Sequence, residues 1–312
     1  MCSRSLDLAF EHGRLKLTDV LASGEGRLGS RLRTTPGNRA VWVHPNSAHR
    51  PARRVGISML TNRERLRHLQ WDGCYNARDL GGYRTVDGGE TRWGAVVRAD
   101  NLSRLSEEGR AALVEYGAGA IIDLRCPWEL NLDPPVFTAE PPAEGEISYL
   151  NLPMIDESDV DATTVFERAT SKEEMYTLML DVYQAPVAAI LNAIAEAPEM
   201  SPVLIHCHSG KDRTGLISAL LLSVAGVPAE AIAGDYALTD TCLQPLHDRL
   251  IDENGGSVEE RAAMAYELSS PPEVMQAVFQ HLEQRYGGTE GYVLQAGLRP
   301  ENLDRLRERL RG

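Results

Sequence analysis

The spacing of apolar residues alternates between two periods along the middle of the chain, which predicts alternating strands and helices. Short apolar runs rich in β-branched residues predict strands over RWGAVVRAD (92–100), GAIIDLR (119–125), ISYLNLP (147–153) and PVLIH (202–206). Helical spacing predicts helices over 106–117, 171–183, 185–197 and 214–226, the first opened by Ser106 and closed by Gly117. This alternation is typical of an α/β fold with a central, mostly parallel sheet flanked by helices.

The carboxyl-terminal part of the chain is predicted to be helical. One helix over 228–240 begins at Pro228, a second over 269–288 takes Ser270 as its cap, and a short amphipathic helix covers 299–312. The helix over 214–226 is almost wholly apolar, so we expect it at the centre of the core.

Residues 1–60 differ from the rest of the chain in composition and charge. They are rich in Arg, Gly, Ser and Pro without sustained periodicity, which predicts a flexible basic arm. They contain ten basic and four acidic residues, whereas residues 61–312 contain 22 basic and 41 acidic ones. We therefore predict a single domain over 61–312, within which 157–183 is an insertion that could act as a lid.

The whole-chain composition excludes some classes of protein. A net charge of −13 argues against nucleic acid as a partner. No apolar run approaches the roughly 20 residues that span a bilayer, and no signal peptide is evident. The five cysteines are odd in number and form no CxxC pair, which favours reduced thiols and a cytoplasmic protein. Export by an unconventional route would leave no such mark in the sequence.

The stretch HCHSGKDRTG (206–215) lies where the last predicted strand turns into the apolar helix. At this edge of an α/β sheet, loop amides and a helix N-terminus can converge on one anion. Gly210 and Gly215 allow close backbone approaches. Cys207 lies in a positive field that favours a nucleophilic thiolate, and Arg213 can offer two parallel donors to phosphate oxygens. The sequence therefore predicts a nucleophile at the floor of a phosphate-binding loop.

Two other interpretations of this stretch are weaker. His206 and His208 could join Cys207 in a metal site, but on an extended strand they share the face opposite to the cysteine, and no second cluster supplies further ligands. We expect no metal and a buried, hydrogen-bonded His206, while it stays open whether His208 lines the pocket. A purely structural cysteine is common in cores, but it leaves the residues that follow unexplained.

The stretch resembles the HCxxGKDRTG form of the C-x5-R loop in bacterial tyrosine and dual-specificity phosphatases, the family of mycobacterial protein tyrosine phosphatase B. Other segments follow in family order: CYNARDLGGYRTVDGG (74–89), VVRADNLSRLSEEG (96–109), AIIDLRCPWE (120–129) and GVPAEAIAGDYALTD (226–240). The resemblance covers about residues 62–285 and departs from the family at Ala77, where an aromatic residue is usual. It implies the cysteine-dependent phosphatase fold and hydrolysis of phosphate monoesters through phosphocysteine, with no metal or cofactor.

The resemblance also assigns roles to single residues. Cys207 attacks phosphorus, Arg213 and the loop amides hold the equatorial oxygens, and Thr214 hydrogen-bonds the sulfur as it leaves. The phosphate-binding loop comprises His208, Ser209, Gly210, Lys211, Asp212 and Arg213. Four residues are expected to support this loop from beneath without touching substrate: Arg78, Asp79, Asp123 and Arg125.

The proton donor stays open between two carboxyl groups. Asp212 lies inside the loop, where a phosphate dianion favours the protonated carboxyl, but Lys211 and Arg213 favour the ionised one. Asp156 follows a predicted strand, at a position where many relatives carry the acid on a movable loop. We favour Asp212 as the general acid.

A protein-tyrosine phosphatase is the function that this sequence predicts, with phosphoserine and phosphothreonine as further substrates. Lys211 adds positive charge where extra phosphates could bind, so phosphoinositides are an alternative substrate. A phospho-binding module without turnover is another alternative, disfavoured because Cys207, Arg213 and Thr214 are all present. Sulfur or arsenate chemistry on a similar loop would not need Lys211 and Asp212 before the arginine.

Overall fold

The computed structural model of the protein describes residues 9–11, 14–16, 61–137, 147–155 and 168–312. Its strands are β1 (Ala9–Glu11), β2 (Arg14–Lys16), β3 (Arg78–Asp79), β4 (Val96–Ala99), β5 (Ala120–Asp123), β6 (Ser148–Asn151) and β7 (Val203–His206). Its helices are α1 (Asn62–Arg67), α2 (Glu107–Tyr116), α3 (Pro127–Leu132), α4 (Lys172–Val182), α5 (Gln184–Glu196), α6 (Asp212–Val224), α7 (Ala229–Asn254), α8 (Val258–Leu268), α9 (Pro272–Tyr286), α10 (Thr289–Ala296) and α11 (Pro300–Arg311).

The chain divides into two compact units, one of residues 55–246 with 269–312 and a smaller one of residues 1–54 with 247–268. In the smaller unit β1 and β2 pair antiparallel, and Arg261 of α8 donates to Asp252 at 2.6 Å. The predicted arm over 1–60 otherwise lies outside the described residues. Its separation from a single domain over 61–312 stays a prediction.

The larger unit is built on a five-stranded sheet in the order β3-β4-β7-β5-β6. Only β3 runs antiparallel to its neighbour, and the other pairs are parallel. Strands β4, β5 and β7 are buried along their whole length, which is why their sequences are nearly continuous apolar runs. Ala99, His206 and Asp123 lie in register at the ends of these strands, so the loops that follow leave the sheet at one level.

The predicted α/β fold class and the predicted strands are confirmed. The ends of α2 are confirmed as well, because Ser106 accepts a hydrogen bond from the Gly109 amide and Gly117 adopts the left-handed conformation with φ of 84°. Nearly every residue of α6 is buried, in keeping with its predicted central place. The cap at Ser270 is wrong: Pro271 occupies the N-cap position of α9, and Pro272 follows it as the first helical residue.

The carboxyl-terminal half of the predicted insertion is a core helix. Tyr176, Met179 and Leu180 of α4 are buried in the main apolar cluster. A helix with these buried side chains cannot swing open without exposing them to water, so residues 172–182 are a poor lid. Residues 157–167, the other half of the insertion, lie outside the described residues.

Among the helices described, none is by itself long and apolar enough to cross a bilayer. Helices α4 and α5, bent by 76° at their junction, meet that criterion only as a pair.

Candidate active site

The loop between β7 and α6 is held from outside through its carbonyl groups. Three successive carbonyl oxygens accept hydrogen bonds, that of His208 from the Asn101 amide at 3.0 Å, that of Ser209 from Asn76 Nδ2 at 3.0 Å and that of Gly210 from Arg98 Nη2 at 2.6 Å. In a trans peptide the N–H points opposite to the C=O of the same unit. The amides that follow these three carbonyls therefore point away from the scaffold and toward the inside of the loop, and that of Lys211 donates to Ser209 Oγ at 3.4 Å.

The amino terminus of α6 adds further donors to the same space. Lys211 occupies the N-cap position and contributes no side-chain hydrogen bond to the first turn, so the first amides of the helix keep their donor capacity. The 13-residue helix also brings partial positive charge to this end. Cys207 begins the loop and is 1% exposed. Its buried side chain therefore starts a loop whose backbone and helix N-terminus favour an anion.

Gly210 is required by the backbone at the turn of the loop. Its φ is +66°, a conformation that other residues rarely adopt, and a Cβ at this position would lie 2.5 Å from the carbonyl oxygen of Ala99. The close approach is what lets β4 support the loop, because Ala99 ends that strand.

The guanidinium of Arg213 is held by a carboxylate that the sequence did not predict. Glu129 of α3 accepts from Nη1 at 2.5 Å and from Nη2 at 2.7 Å. Burial by itself would lower the pKa of Arg213, but the hydrogen bonds with Glu129 and the charges of Cys207 and Glu129 outweigh it and raise that pKa. Within the ranges that the structure describes, Nε–H and the second proton of Nη2 make no hydrogen bond, so they can act as a side-on fork for two phosphate oxygens.

Asp212 is the first residue of α6 and is one-third exposed. Its Oδ1 accepts a hydrogen bond from the Tyr176 hydroxyl and lies 3.6 Å from Lys211 Nζ. Asp156, the rival proton donor, lies outside the described residues. Thr214 is completely buried, and its Oγ1 has no hydrogen-bond partner within the part of the chain that the structure describes.

Beneath the loop, Asp235 of α7 joins two buried arginines. Its Oδ2 accepts from Arg98 Nη1 at 2.5 Å, and its Oδ1 accepts from Arg78 Nε at 3.2 Å and from the Tyr83 hydroxyl at 2.8 Å. Burial by itself would raise the pKa of Asp235, but the charges of Arg78 and Arg98 outweigh it and hold that pKa well below its usual range. Arg78 also donates to the side chain of Asn76. This cluster therefore reaches the loop through Arg98 and Asn76.

A second buried pair supports the loop from the other side. Arg125 donates to Asp123 through Nε at 3.0 Å and Nη2 at 2.7 Å, and its Nη1 donates to Asn101 Oδ1 at 3.0 Å. The Asn101 amide is the donor to the His208 carbonyl. His206 is buried, as predicted, with Nε2 3.4 Å from Asp123 Oδ2 and Nδ1 3.2 Å from the Cys207 carbonyl oxygen.

The side chains of two predicted residues, Asp79 and His208, make their hydrogen bonds away from the inside of the loop. Asp79 accepts from the Gly81 and Gly94 amides at 2.8 Å and from the Tyr116 hydroxyl at 2.6 Å, so it holds the turn after β3. None of these hydrogen bonds of Asp79 reaches the loop. The His208 ring is about half exposed, with Nε2 3.1 Å from Arg104 Nη2, and lies at the mouth of the loop.

Sequence reasoning missed several residues that shape the site: Asn76, Arg98, Asn101, Glu129 and Asp235. Arg98 had a visible signal, because an arginine in the middle of the apolar strand VVRA must be buried and needs a partner. The partner itself, Asp235, is 137 residues away in sequence. No spacing rule in a single chain connects the two.

Comparison with known proteins agrees with this geometry. Residues 69–312 match the model of a family described as the tyrosine phosphatase family. A tyrosine-protein phosphatase of Nostoc commune is 31% identical over 226 residues, which are 69% of this chain and 74% of that protein. The triple specificity protein phosphatase PtpB of Mycobacterium tuberculosis is 26% identical over 284 residues, 77% of this chain and 98% of that protein. The chain belongs to the tyrosine phosphatase family.

Proposed function

We propose that this phosphatase hydrolyses phosphate monoesters through a phosphocysteine intermediate formed on Cys207. The observation that carries the proposal is that three successive carbonyls of the loop accept hydrogen bonds from outside, which directs the amides of the same peptide units toward the inside of the loop. Inward amides and a helix N-terminus stabilise a phosphoryl group and the charge that develops on it. A tyrosine phosphatase needs both at its nucleophile.

In the first step the Cys207 thiolate attacks phosphorus and the bond from phosphorus to the leaving oxygen breaks. The electron pair goes to that oxygen, which takes a proton from the Asp212 carboxyl. In the second step water attacks phosphorus and gives a proton to Asp212, while the thiolate leaves. Thr214 Oγ1, buried and without a partner among the described residues, can donate to the departing sulfur.

Arg213 holds the equatorial phosphate oxygens during both steps. Glu129 occupies the outer edge of the guanidinium, so the side-on fork of Nε and Nη2 stays directed by a buried ion pair. A guanidinium that is held in advance loses little entropy when it binds phosphate.

Phosphotyrosine is the substrate we propose first, with phosphoserine and phosphothreonine as further protein substrates. The M. tuberculosis relative is named a triple specificity phosphatase, and Lys211 adds a cation beside the loop with its side chain 12% exposed. Phosphoinositides are therefore the alternative substrate class. A cytoplasmic location remains our proposal, supported by four cysteines that form no disulfide among the described residues: Cys74, Cys126, Cys207 and Cys242.

The test is hydrolysis of an aryl phosphate, a panel of phosphopeptides and a panel of phosphoinositides, with and without a metal chelator. We expect phosphate release that the chelator leaves unchanged and that Cys207→Ser abolishes. If the wild-type protein releases no more phosphate than Cys207→Ser but both bind tungstate, the chain is a phospho-binding module instead.

The identity of the general acid needs its own comparison. We expect Asp212→Asn to slow single-turnover release of poor leaving groups far more than of good ones, because only poor leaving groups need the proton. Asp156→Asn is the matched variant. If Asp156→Asn shows this dependence and Asp212→Asn does not, Asp156 is the acid.

A further inference from the structure

Two buried tyrosines connect Asp212 to the core. Tyr176 of α4 is 0% exposed and Tyr236 of α7 is 1% exposed. The Tyr176 hydroxyl hydrogen-bonds to Asp212 Oδ1, and the two tyrosine oxygens lie 2.7 Å apart. The rings meet edge to face with centroids 5.8 Å apart. Neither tyrosine belongs to the loop motif, and both are fixed by packing.

The direction of these hydrogen bonds follows from the number of protons. Tyr176 has one hydroxyl proton, and the carboxylate of Asp212 can only accept. That proton therefore goes to Asp212, and the Tyr236 hydroxyl must donate its own proton to the Tyr176 oxygen. The result is a one-way chain from Tyr236 through Tyr176 to Asp212, in which each hydrogen bond polarises the next.

Tyr176 remains a donor over the whole working range of such an enzyme. Burial raises the pKa of Tyr176 well above its ordinary value, and the negative charge of Asp212 raises it further. Burial likewise raises the pKa of Tyr236. In the described part of the chain, the charged and titratable groups that face Asp212 are Lys211 from the loop, Tyr176 from α4 and Tyr236 from α7.

We propose that Tyr176 is a positioning residue for proton transfer, holding Oδ1 of Asp212 so that Oδ2 exchanges the proton with the leaving oxygen. Both contacts of Asp212 within the described residues are made by Oδ1, which leaves Oδ2 for this exchange. Tyr236 fixes the direction of the Tyr176 hydroxyl. The bond that breaks is O–H at Oδ2 and the one that forms is O–H at the leaving oxygen, while Tyr176 keeps its proton. This inference rests on the proposed role of Asp212.

The test is the single-turnover release of a series of aryl alcohols from their phosphates by Tyr176→Phe. We expect the maximal rate to fall about tenfold for phenyl phosphate and by much less for dinitrophenyl phosphate, because a misoriented acid matters only where the proton is needed. The half-saturating substrate concentration should stay unchanged. Tyr236→Phe should give a smaller effect with the same dependence on leaving group.

Tyr292→Phe is the matched control. Tyr292 of α10 is also completely buried, and its hydroxyl donates at 2.8 Å to the carbonyl of Leu180 in α4, the helix that carries Tyr176. It should leave the leaving-group dependence unchanged. In Asp212→Asn, adding Tyr176→Phe should cause no further loss, because the group that it positions is gone.

An equal loss for all leaving groups in both Tyr176→Phe and Tyr236→Phe would overturn the proposal. A full additional loss in the double variant would overturn it as well. Failure of the proposed function is a separate result, because there the wild-type protein releases no more phosphate than Cys207→Ser.

Discussion

The loop between β7 and α6 has an outer face, which contacts the rest of the fold, and an inner face, around which the loop turns. The polar groups of the two faces differ in their hydrogen-bond partners. On the outer face the loop carbonyls meet donors of the fold, and the arginines behind them are paired with buried carboxylates. On the inner face the helix N-terminus has no side-chain cap and Thr214 Oγ1 has no partner among the described residues. Buried donors without a partner are costly, which supports the proposal that the inner face binds an anion.

This difference separates two kinds of residue. Outer-face residues keep the loop in shape, and their loss should reduce stability first. In the proposed mechanism inner-face residues stabilise the reacting phosphoryl group, so their loss should reduce the rate while the fold survives. Variants of the two kinds should therefore differ in whether stability or rate changes first.

The largest effect should come from Arg213→Lys. Lysine keeps the charge but cannot present two parallel donors, so we expect kcat/KM to fall about 10³-fold, equivalent to about 4 kcal/mol. Aryl phosphate hydrolysis measures this loss. The control is Arg307→Lys, which should leave the rate unchanged, because Arg307 is exposed and forms its ion pair with Glu290 at the surface. A rate for Arg213→Lys within a few-fold of the wild type would contradict the role of the fork.

Asp235→Asn should act on stability before chemistry. The change leaves two buried arginines without their common carboxylate, and breaking a buried pair costs about 3 kcal/mol or more. Denaturant unfolding measures the effect, with Asp304→Asn as an exposed control expected within about 0.5 kcal/mol of the wild type. An equally small effect for Asp235→Asn would mean that the buried cluster does not support the fold.

Low pH should also reduce the stability of the fold, because it protonates the buried carboxylates that pair with the arginines around the loop. Burial by itself would raise the pKa of Asp123, Glu129 and Asp235, but their arginine and histidine partners outweigh it and lower all three. The ordinary pKa values of these groups are 3.8 for Asp and 4.5 for Glu. A carboxyl group whose pKa is lowered by folding stabilises the fold at any pH above its ordinary pKa, and this contribution is lost as the pH falls below that value. We therefore expect the free energy of unfolding to decrease below pH about 4, and less steeply in Asp235→Asn. Equal slopes for the two proteins would exclude Asp235 as a source of the pH dependence.

The smallest effect should come from His208→Ala. The fold binds the carbonyl of His208, whereas its half-exposed ring contacts only the surface side chains of Arg104 and Asp133 among the described residues. Surface polar contacts contribute little, so the free energy of unfolding should change by less than about 0.5 kcal/mol. Denaturant unfolding checks this. A loss of several kcal/mol would show that the ring, too, belongs to the support of the loop.

Local patterns were sufficient to predict most of the fold. The strands β4, β5, β6 and β7 were readable because their residues are apolar runs between turn signals, and α2 because Ser106 and Gly117 mark its ends. The cap of α9 was misread because Ser270 resembles a cap, while the structure places Pro271 there. Helix α4 was interpreted as part of a lid because its burial depends on neighbours that its own sequence does not reveal.

The sequence by itself determined which chemistry the loop is predicted to perform. Cysteine, glycine, lysine, aspartate and arginine within HCHSGKDRTG, placed between an apolar strand and an apolar helix, predict a nucleophile and an anion site through local backbone geometry. Only the tertiary structure decided which partners hold that loop. Glu129 behind Arg213, Asp235 behind Arg98 and Tyr176 beside Asp212 come from elements 36 to 137 residues away. Such pairs form because buried charges and hydroxyls must find partners in space, and distance along the chain does not predict which ones they find.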